Sequence, residues 1–398
     1  MNLGSFFLVL QVLISAYSYS QVNIKFKNPY KFSDDIGQIT SSNGQLAAFF
    51  YSAIGDYDTS LKVWDEIVGV SNPAKDKVLQ FISKNQYRLT NAIPIIVEKA
   101  KKTEYVILNE AHHRPDHRVF ALKVLKELFN LGYRNLGVET LTGKGKYYDD
   151  SLNLRKYPIV TSGSYSREPQ FGELIREALK LGYYVFPYDD LSVTGKDREI
   201  AQASNIIKNR KQGKTFVYCG FQHALEEGNE MWDKAMAENL KQLTGENPLS
   251  INQVTFSQKS SLNFEHPIYE DFEIIESKSK VLIDENDETL RLKENSGYYD
   301  ISVLQPRSEL ICGRPDWIFN SCKKPVKISL KWTSISSPYM ILAYYESEDY
   351  NEAVPVDIIE VKKTYVNNKV YMALKPGSYN IIFSGKNGNA ELKELVVE

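Results

Sequence analysis

The chain has 398 residues, with 48 Lys and Arg against 50 Asp and Glu and a net charge of -2. That balance, with no basic block, excludes the electrostatic footprint of a nucleic-acid binder, and the length calls for two or more domains. Five histidines and three cysteines are few for such a chain, so their positions carry information.

Residues 1–20 are uncharged, with an apolar run from Phe6 to Leu10 continuing through Val12, Leu13 and Ile14 and a small-x-small ending at Ser18-Tyr19-Ser20. This reads as a secretory signal peptide cut after Ser20. An uncleaved anchor is the alternative, against which the run falls short of the roughly 20 residues that span a bilayer. No later segment is apolar enough to span, so the expected protein is exported, either periplasmic or secreted. Residues 21–104 read as a helical lead-in on the main domain, with helical spacing over Pro73–Leu89 (Val78, Phe81, Ile82) and over Ala92–Lys101 (Ile93, Ile96, Val97).

Residues 105–324 read as an α/β catalytic-like domain, in which strands alternate with amphipathic helices. Strands are expected at Tyr105–Leu108, Asn135–Val138, Tyr183–Pro187 and Thr215–Cys219, with helices at about Pro115–Leu131, Glu168–Leu181 and Lys196–Gln212 between them. Glycines at 132, 182 and 213 stop the helices. The alternation predicts a largely parallel sheet covered by helices.

The C-terminal ends of these strands are polar in every case: Glu110, His112 and His113; Glu139; Asp189 and Asp190; Gln222 and His223. Three of the five histidines, His112, His113 and His117, fall within six residues. Ligands of open α/β sheets bind beyond the carboxyl ends of the strands, so these residues are expected to converge. Imidazoles beside carboxylates serve two chemistries, activation of water by a general base and binding of a divalent metal that acidifies water. Zinc, manganese and iron accept such mixed ligands. The spacing leaves both chemistries open. No G-x-S-x-G elbow, P-loop or dinucleotide fingerprint is present.

Further on, Cys312 and Cys322 flank an aromatic turn segment and are expected to form a local disulfide in an exported protein, whereas Cys219 reads as a buried apolar residue. The segment from about Ser250 to Asn320 is irregular, and its acidic run Asp284–Glu288 lacks the ligand spacing of an EF-hand. Residues 325–398 alternate as strands: Val326, Ile328, Leu330 and Trp332, then Tyr339–Tyr345, Val356–Val361, Lys369–Leu374, Tyr379–Phe383 and Glu391–Val397, with the Asn387-Gly388 turn before the last. A β-sandwich-like accessory domain is expected.

Asn-Glu-Ala-His at 109–112 with His117, the acid Glu139 and Gly-Phe-Gln-His at 220–223 resemble the superfamily that contains erythromycin esterases, haem-uptake lipoproteins and Tiki-type metalloproteases. The segments Tyr165–Pro169, Gly182-Tyr183, Tyr188-Asp189 and Arg198-Glu199 resemble its esterase-like branch. The match runs from about Lys101 to Gly228, with Asn109 where that superfamily usually has glycine and Asp189 where the branch more often has glutamate.

The resemblance implies an exported hydrolase acting on an ester, lactone or amide of a small molecule or peptide. Glu110, His112 and His223 would be catalytic, and Glu110, His112, Glu139 and His223 would be the candidate ligands of any metal. Glu139 and Asp189 would support them. His117 would orient substrate or cap its helix, Arg198 would bind an anionic group or pair with an edge acid, and Tyr165 would sit on a substrate-facing or merely surface loop. His113 and His266 are read as structural. The alternatives are a haem- or iron-binding protein and a non-catalytic relative acting through its sandwich.

Overall fold

The computed structural model describes residues 22–398 apart from 71, 73–74, 76–79, 81, 83–85, 146–147, 229–230, 273–277, 292, 295–296, 321 and 363–368. The expected signal segment lies outside the described residues, as does most of the helix expected over Pro73–Leu89. No helix of the described residues is long and apolar enough to cross a membrane.

A short strand, β1 (Val22–Ile24), precedes the eight strands of an α/β main sheet: β2 (Arg88–Asn91), β3 (Tyr105–Glu110), β4 (Tyr133–Thr142), β5 (Tyr184–Asp189), β6 (Lys214–Gly220), β7 (Leu249–Asn252), β8 (Lys280–Ile283) and β9 (Ile301–Leu304). They lie in the order β2-β8-β9-β7-β3-β6-β4-β5. From β9 to β5 every neighbouring pair is parallel, and only β8 and β2 add antiparallel ladders at one edge.

Both faces of the parallel region are covered, which explains why β3 is buried along its whole length and reads as an apolar run. Val106, Leu108, Leu136, Val138 and Phe216 pack under the helices Ala92–Ala100, Pro115–Asn130 and Pro169–Leu181. Ile107, Val217, Phe186 and Tyr188 face the helices Gly195–Asn209 and Met236–Thr244 on the other side. The chain leaves β3 for β4 on one flank and later reaches β7 on the other, so the strand order reverses around β3 and β6. Such a switch point opens a crevice at the strand ends.

The C-terminal region is antiparallel. After β10 (Lys324–Ser329) come β11 (Tyr339–Tyr345), β12 (Asp357–Val361), β13 (Lys369–Leu374), β14 (Gly377–Gly385) and β15 (Ala390–Val397). Five strands form one sheet, β1-β15-β14-β11-β12, and β10 pairs with β13 as a ribbon. Alternate residues of β11 serve opposite faces, as the period of two demands: Ile341 meets the ribbon's Ile328 and Met372, whereas Met340 and Leu342 meet Phe49, Ile54 and other residues of the N-terminal segment. The first part of the lead-in, with its helices Gly44–Ala53 and Tyr57–Val63, therefore covers the C-terminal sheet, while the helix Ala92–Ala100 covers the main sheet. Leu330 and Trp332, expected to continue a strand, form a short 3-10 turn.

The expected Cys312–Cys322 disulfide is absent, since both are exposed free thiols. Ile311 pairs with Arg314, which puts Cys312 and Gly313 in a two-residue turn with positive φ at both (52° and 77°). Backbone pairing closes this loop without sulfur.

Ion pairs tie the two regions together. Glu348 accepts two bonds from Arg176 of the helix Pro169–Leu181, at 2.7 and 2.6 Å, and Arg176 also donates to the Val354 carbonyl. Val160 N–H donates to the Glu352 carbonyl at 2.8 Å, and Tyr30 donates to the Arg167 carbonyl at 2.7 Å. The loop from Pro158 to Glu168, which carries Tyr165, is thus anchored on the C-terminal sheet.

Candidate active site

Register alone brings the polar strand ends together. Glu110 of β3 is the partner of Gly220 at the end of β6, and Val138 of β4 is the partner of Tyr218, so Glu139 stands one step beyond. His223 follows β6 in the 3-10 turn Phe221–Ala224, and Asp189 ends β5. Asn109 acts through its side chain. It donates to the Phe221 carbonyl at 2.8 Å and to Asn252 at 3.1 Å and accepts the Gln253 N–H at 2.9 Å, which fixes the His223 turn against β3 and β7.

Glu110 is held as a fixed acceptor. Arg118, 0 % exposed, forks onto it through Nε and Nη2 at 2.7 and 2.9 Å, and Tyr218 donates to it at 2.9 Å. Burial opposes ionisation of Glu110, but Arg118 and the His112 hydrogen bond outweigh it and bring the carboxyl down to about 2. Arg118 also donates to Glu168, which caps the helix Pro169–Leu181 through the Phe171 N–H, each at 2.9 Å. The remaining contact of Glu110 is with His112 Nδ1 at 3.0 Å. An ionised carboxylate only accepts, so Nδ1 carries a proton, and in the neutral ring Nε2 is the acceptor. Tyr165 stacks on the His112 ring at 3.7 Å and 12°. A Cβ on Gly220 would come within 2.6 Å of His112 Nε2, so only glycine at 220 lets this ring lie against β6.

The second imidazole has different partners. His223 lies between two carboxylates, with Nδ1 2.8 Å from Glu199 and Nε2 3.3 Å from Glu139, and Trp232 is parallel to its ring at 4.9 Å. Burial works against the cation, but Glu139 and Glu199 outweigh it and raise His223 to about 10, while the same contacts hold Glu139 far below the ordinary carboxylate range. Glu139 also takes the Gly220 N–H and Arg198. Arg198 forks onto Asp189, with both bonds at 2.9 Å, so it is an ion-pair partner of edge acids rather than a free anion clamp.

This arrangement has a pH signature. A pKa raised from 6.5 to about 10 contributes stability that is complete below about pH 6.5 and is lost as pH rises through about 10. Urea midpoints are expected to fall across that interval, and a His223→Gln variant should show a flatter dependence. An equal fall in both proteins would assign the alkaline loss elsewhere.

Between the imidazoles opens a cavity of about 480 Å³, lined among others by His112, Glu139, Tyr165, Asp189, Arg198 and His223, with Trp64, Phe221, Trp232 and Tyr299 in its walls. Tyr165 is therefore cavity-lining, not part of an exposed loop. His117 is not in it. Fully buried, His117 accepts the Ala111 N–H at 3.1 Å, and burial drives its imidazole down to about 3. His113 stacks on Trp64 at 4.1 Å and is kept neutral by burial. His266 caps the helix Pro267–Asp271 through the Ile268 N–H. Cys219 is buried, its Sγ directed to the Leu108 carbonyl and its pKa raised by burial.

No protein-family model and no curated protein matches the chain. Among solved structures, the chain is similar to the type III effector HopBA1 at 13% identity over 55% of this chain and 96% of that one, with a TM-score of 0.33. It is also similar to RRSP, a MARTX toxin effector domain from Vibrio vulnificus, at 15% identity over 52% of this chain and 44% of that one, with a TM-score of 0.27. A third likeness is to the C-terminal region of Pasteurella multocida toxin, described as holding a thiol-protease-like catalytic triad, at 15% identity over 58% of this chain and 34% of that one, with a TM-score of 0.27. The chain thus spans under half the length of two of these three, and likenesses this slight carry no argument about its site.

The donors at the cavity are already engaged by protein groups. Both oxygens of Glu110 are taken by Arg118 and both oxygens of Glu139 by Arg198 and the Gly220 N–H, so the two carboxylates already have their counter-charges. Both nitrogens of His223 already face carboxylates, Nδ1 at 2.8 Å from Glu199 and Nε2 at 3.3 Å from Glu139. The four candidate ligands Glu110, His112, Glu139 and His223 do not fit a metal in this arrangement, and His223 does not fit an axial haem ligand.

Sequence reasoning overlooked Arg118 and the role of Glu199. Arg118 had a signal: it lies three and four residues before Ala121 and Leu122, on the apolar stripe of its helix, where a charge needs a buried partner. Glu199 entered only as part of the Arg198-Glu199 resemblance, with no role attached.

Proposed function

We propose that this cavity hydrolyses an ester, lactone or amide by direct attack of water, with His112 as general base. The observation that carries the reading is the ionised, fully engaged Glu110, which fixes the His112 tautomer and leaves Nε2 as a proton acceptor at the cavity. His112 Nε2 takes a proton from water as the oxygen attacks the carbonyl carbon, and the Glu110 carboxylate stabilises the imidazolium that forms. As the tetrahedral species collapses, His112 returns its proton to the leaving oxygen or nitrogen.

Among the described residues no serine or cysteine hydrogen-bonds either imidazole, which supports water rather than a side chain as nucleophile. Intact-mass analysis during turnover of an aryl ester tests this. Product without an acyl adduct is expected, and an adduct that accumulates and decays at the turnover rate would overturn direct attack.

A further inference from the structure

We infer that the group this cavity selects is uncharged and aromatic, seated against Trp232 beside Leu191 and Met231. The inference rests on the reading of the cavity as the substrate site, but not on the chemistry assigned to His112.

The first argument is electrostatic. Every ionised group lining the cavity is already matched. Asp189 is forked by Arg198 and also takes Gln202 at 2.8 Å and the Asp190 N–H at 3.0 Å. Glu139 is shared by Arg198, His223 and the Gly220 N–H, and His223 is shared by Glu139 and Glu199. An anionic group would meet an arginine already facing two carboxylates, and a cationic group would find no carboxylate oxygen without a donor. Either would leave water without a counter-charge, which is costly in a partly enclosed site. A neutral group avoids that cost.

The second argument is the wall. Five of the twenty lining residues are aromatic, against 12% of the whole chain. Two rings already stack on the imidazoles, Tyr165 on His112 and Trp232 on His223, and Trp64 lies parallel to Phe221 at 5.2 Å. Two further lining residues, Leu191 and Met231, are 60% and 71% exposed. Large apolar side chains left in water beside a cavity mark a surface that a ligand covers. A flat ring satisfies the stacking geometry and the apolar rim together.

The test is calorimetric binding of compounds that need no turnover: 2-acetylnaphthalene, 2-naphthoate, 2-naphthylmethylamine and cyclohexyl methyl ketone. The neutral naphthyl ketone is expected to bind at least about tenfold more tightly than either charged naphthalene and than the non-aromatic ketone. Trp232→Ala should weaken it by about tenfold. Leu191→Ser, at an exposed position where folding is not at stake, should weaken it severalfold. Equal or tighter binding of naphthoate or the amine would overturn the charge argument. Wild-type affinity in both variants would overturn the seat, and no binding of any of the four would overturn both. Failure of the hydrolytic reading is distinguishable, because an enzyme that binds the ketone as expected and hydrolyses no ester or amide leaves this inference standing.

Discussion

Replacing His112 by glutamine is expected to lower turnover by about 10²- to 10⁴-fold, the range a positioned general base supplies, with little change in melting temperature. His112 makes one side-chain hydrogen bond, to Glu110, and its side chain is 17% exposed. A glutamine amide can still donate to Glu110, so the buried Glu110–Arg118 pair keeps its partners while the proton acceptor is gone. Glu110→Gln is a poorer probe, because it would leave the Arg118 guanidinium facing a neutral amide and confuse lost chemistry with lost stability. Steady-state rates on an aryl ester, together with thermal unfolding of both proteins, check the prediction. Unchanged turnover in the variant would remove His112 from the mechanism.

The largest stability effect is expected at Arg118. Arg118→Met should cost about 3–5 kcal/mol, because removing one member of a buried pair leaves the others uncompensated. Here two are left, Glu110 and Glu168, both almost fully buried, and the His112 carbonyl also loses a donor. The double variant Arg118→Met/Glu110→Gln should recover part of the loss, since it removes one of the stranded charges. Urea unfolding at pH 7 gives the comparison. A single variant as stable as the wild type would mean that the pair is not buried as described.

These effects show what the sequence made legible and what it hid. Strands β3 to β6 and their helices were readable because each strand is apolar along its length and each helix carries a stripe ending in glycine. The polar edge was readable because Glu110, Glu139, Asp189 and His223 all fall one to four residues beyond apolar runs. Strands β7 to β9 were hidden, being four residues each in a segment of irregular pattern. The pairing of Val22–Ile24 with β15 links opposite ends of the chain, and no local signal encodes it. His117 illustrates a different limit. By residue type it matches His112, yet a single bond from the Ala111 N–H turns it inward and burial keeps it neutral. Asn109 is a further case, because its side chain bridges the strand ends through partners far away in sequence.

The anchoring of the Tyr165 loop on the C-terminal sheet gives that sheet a part in the site. Arg176 and Glu348 hold the helix whose cap, Glu168, contacts Arg118, so the path from the C-terminal sheet to Glu110 is a continuous set of ion pairs and one helix. An accessory domain tethered by a linker would have no such path.

In the proposed reaction Glu110 and His112 activate water without a metal. The measurement that tests it most directly is turnover of a neutral aryl ester by protein dialysed against a strong chelator, with metal content determined on the same sample. Hydrolysis at the undialysed rate with no stoichiometric metal is predicted. Loss of turnover on chelation and its return on adding zinc, manganese or iron would contradict the account.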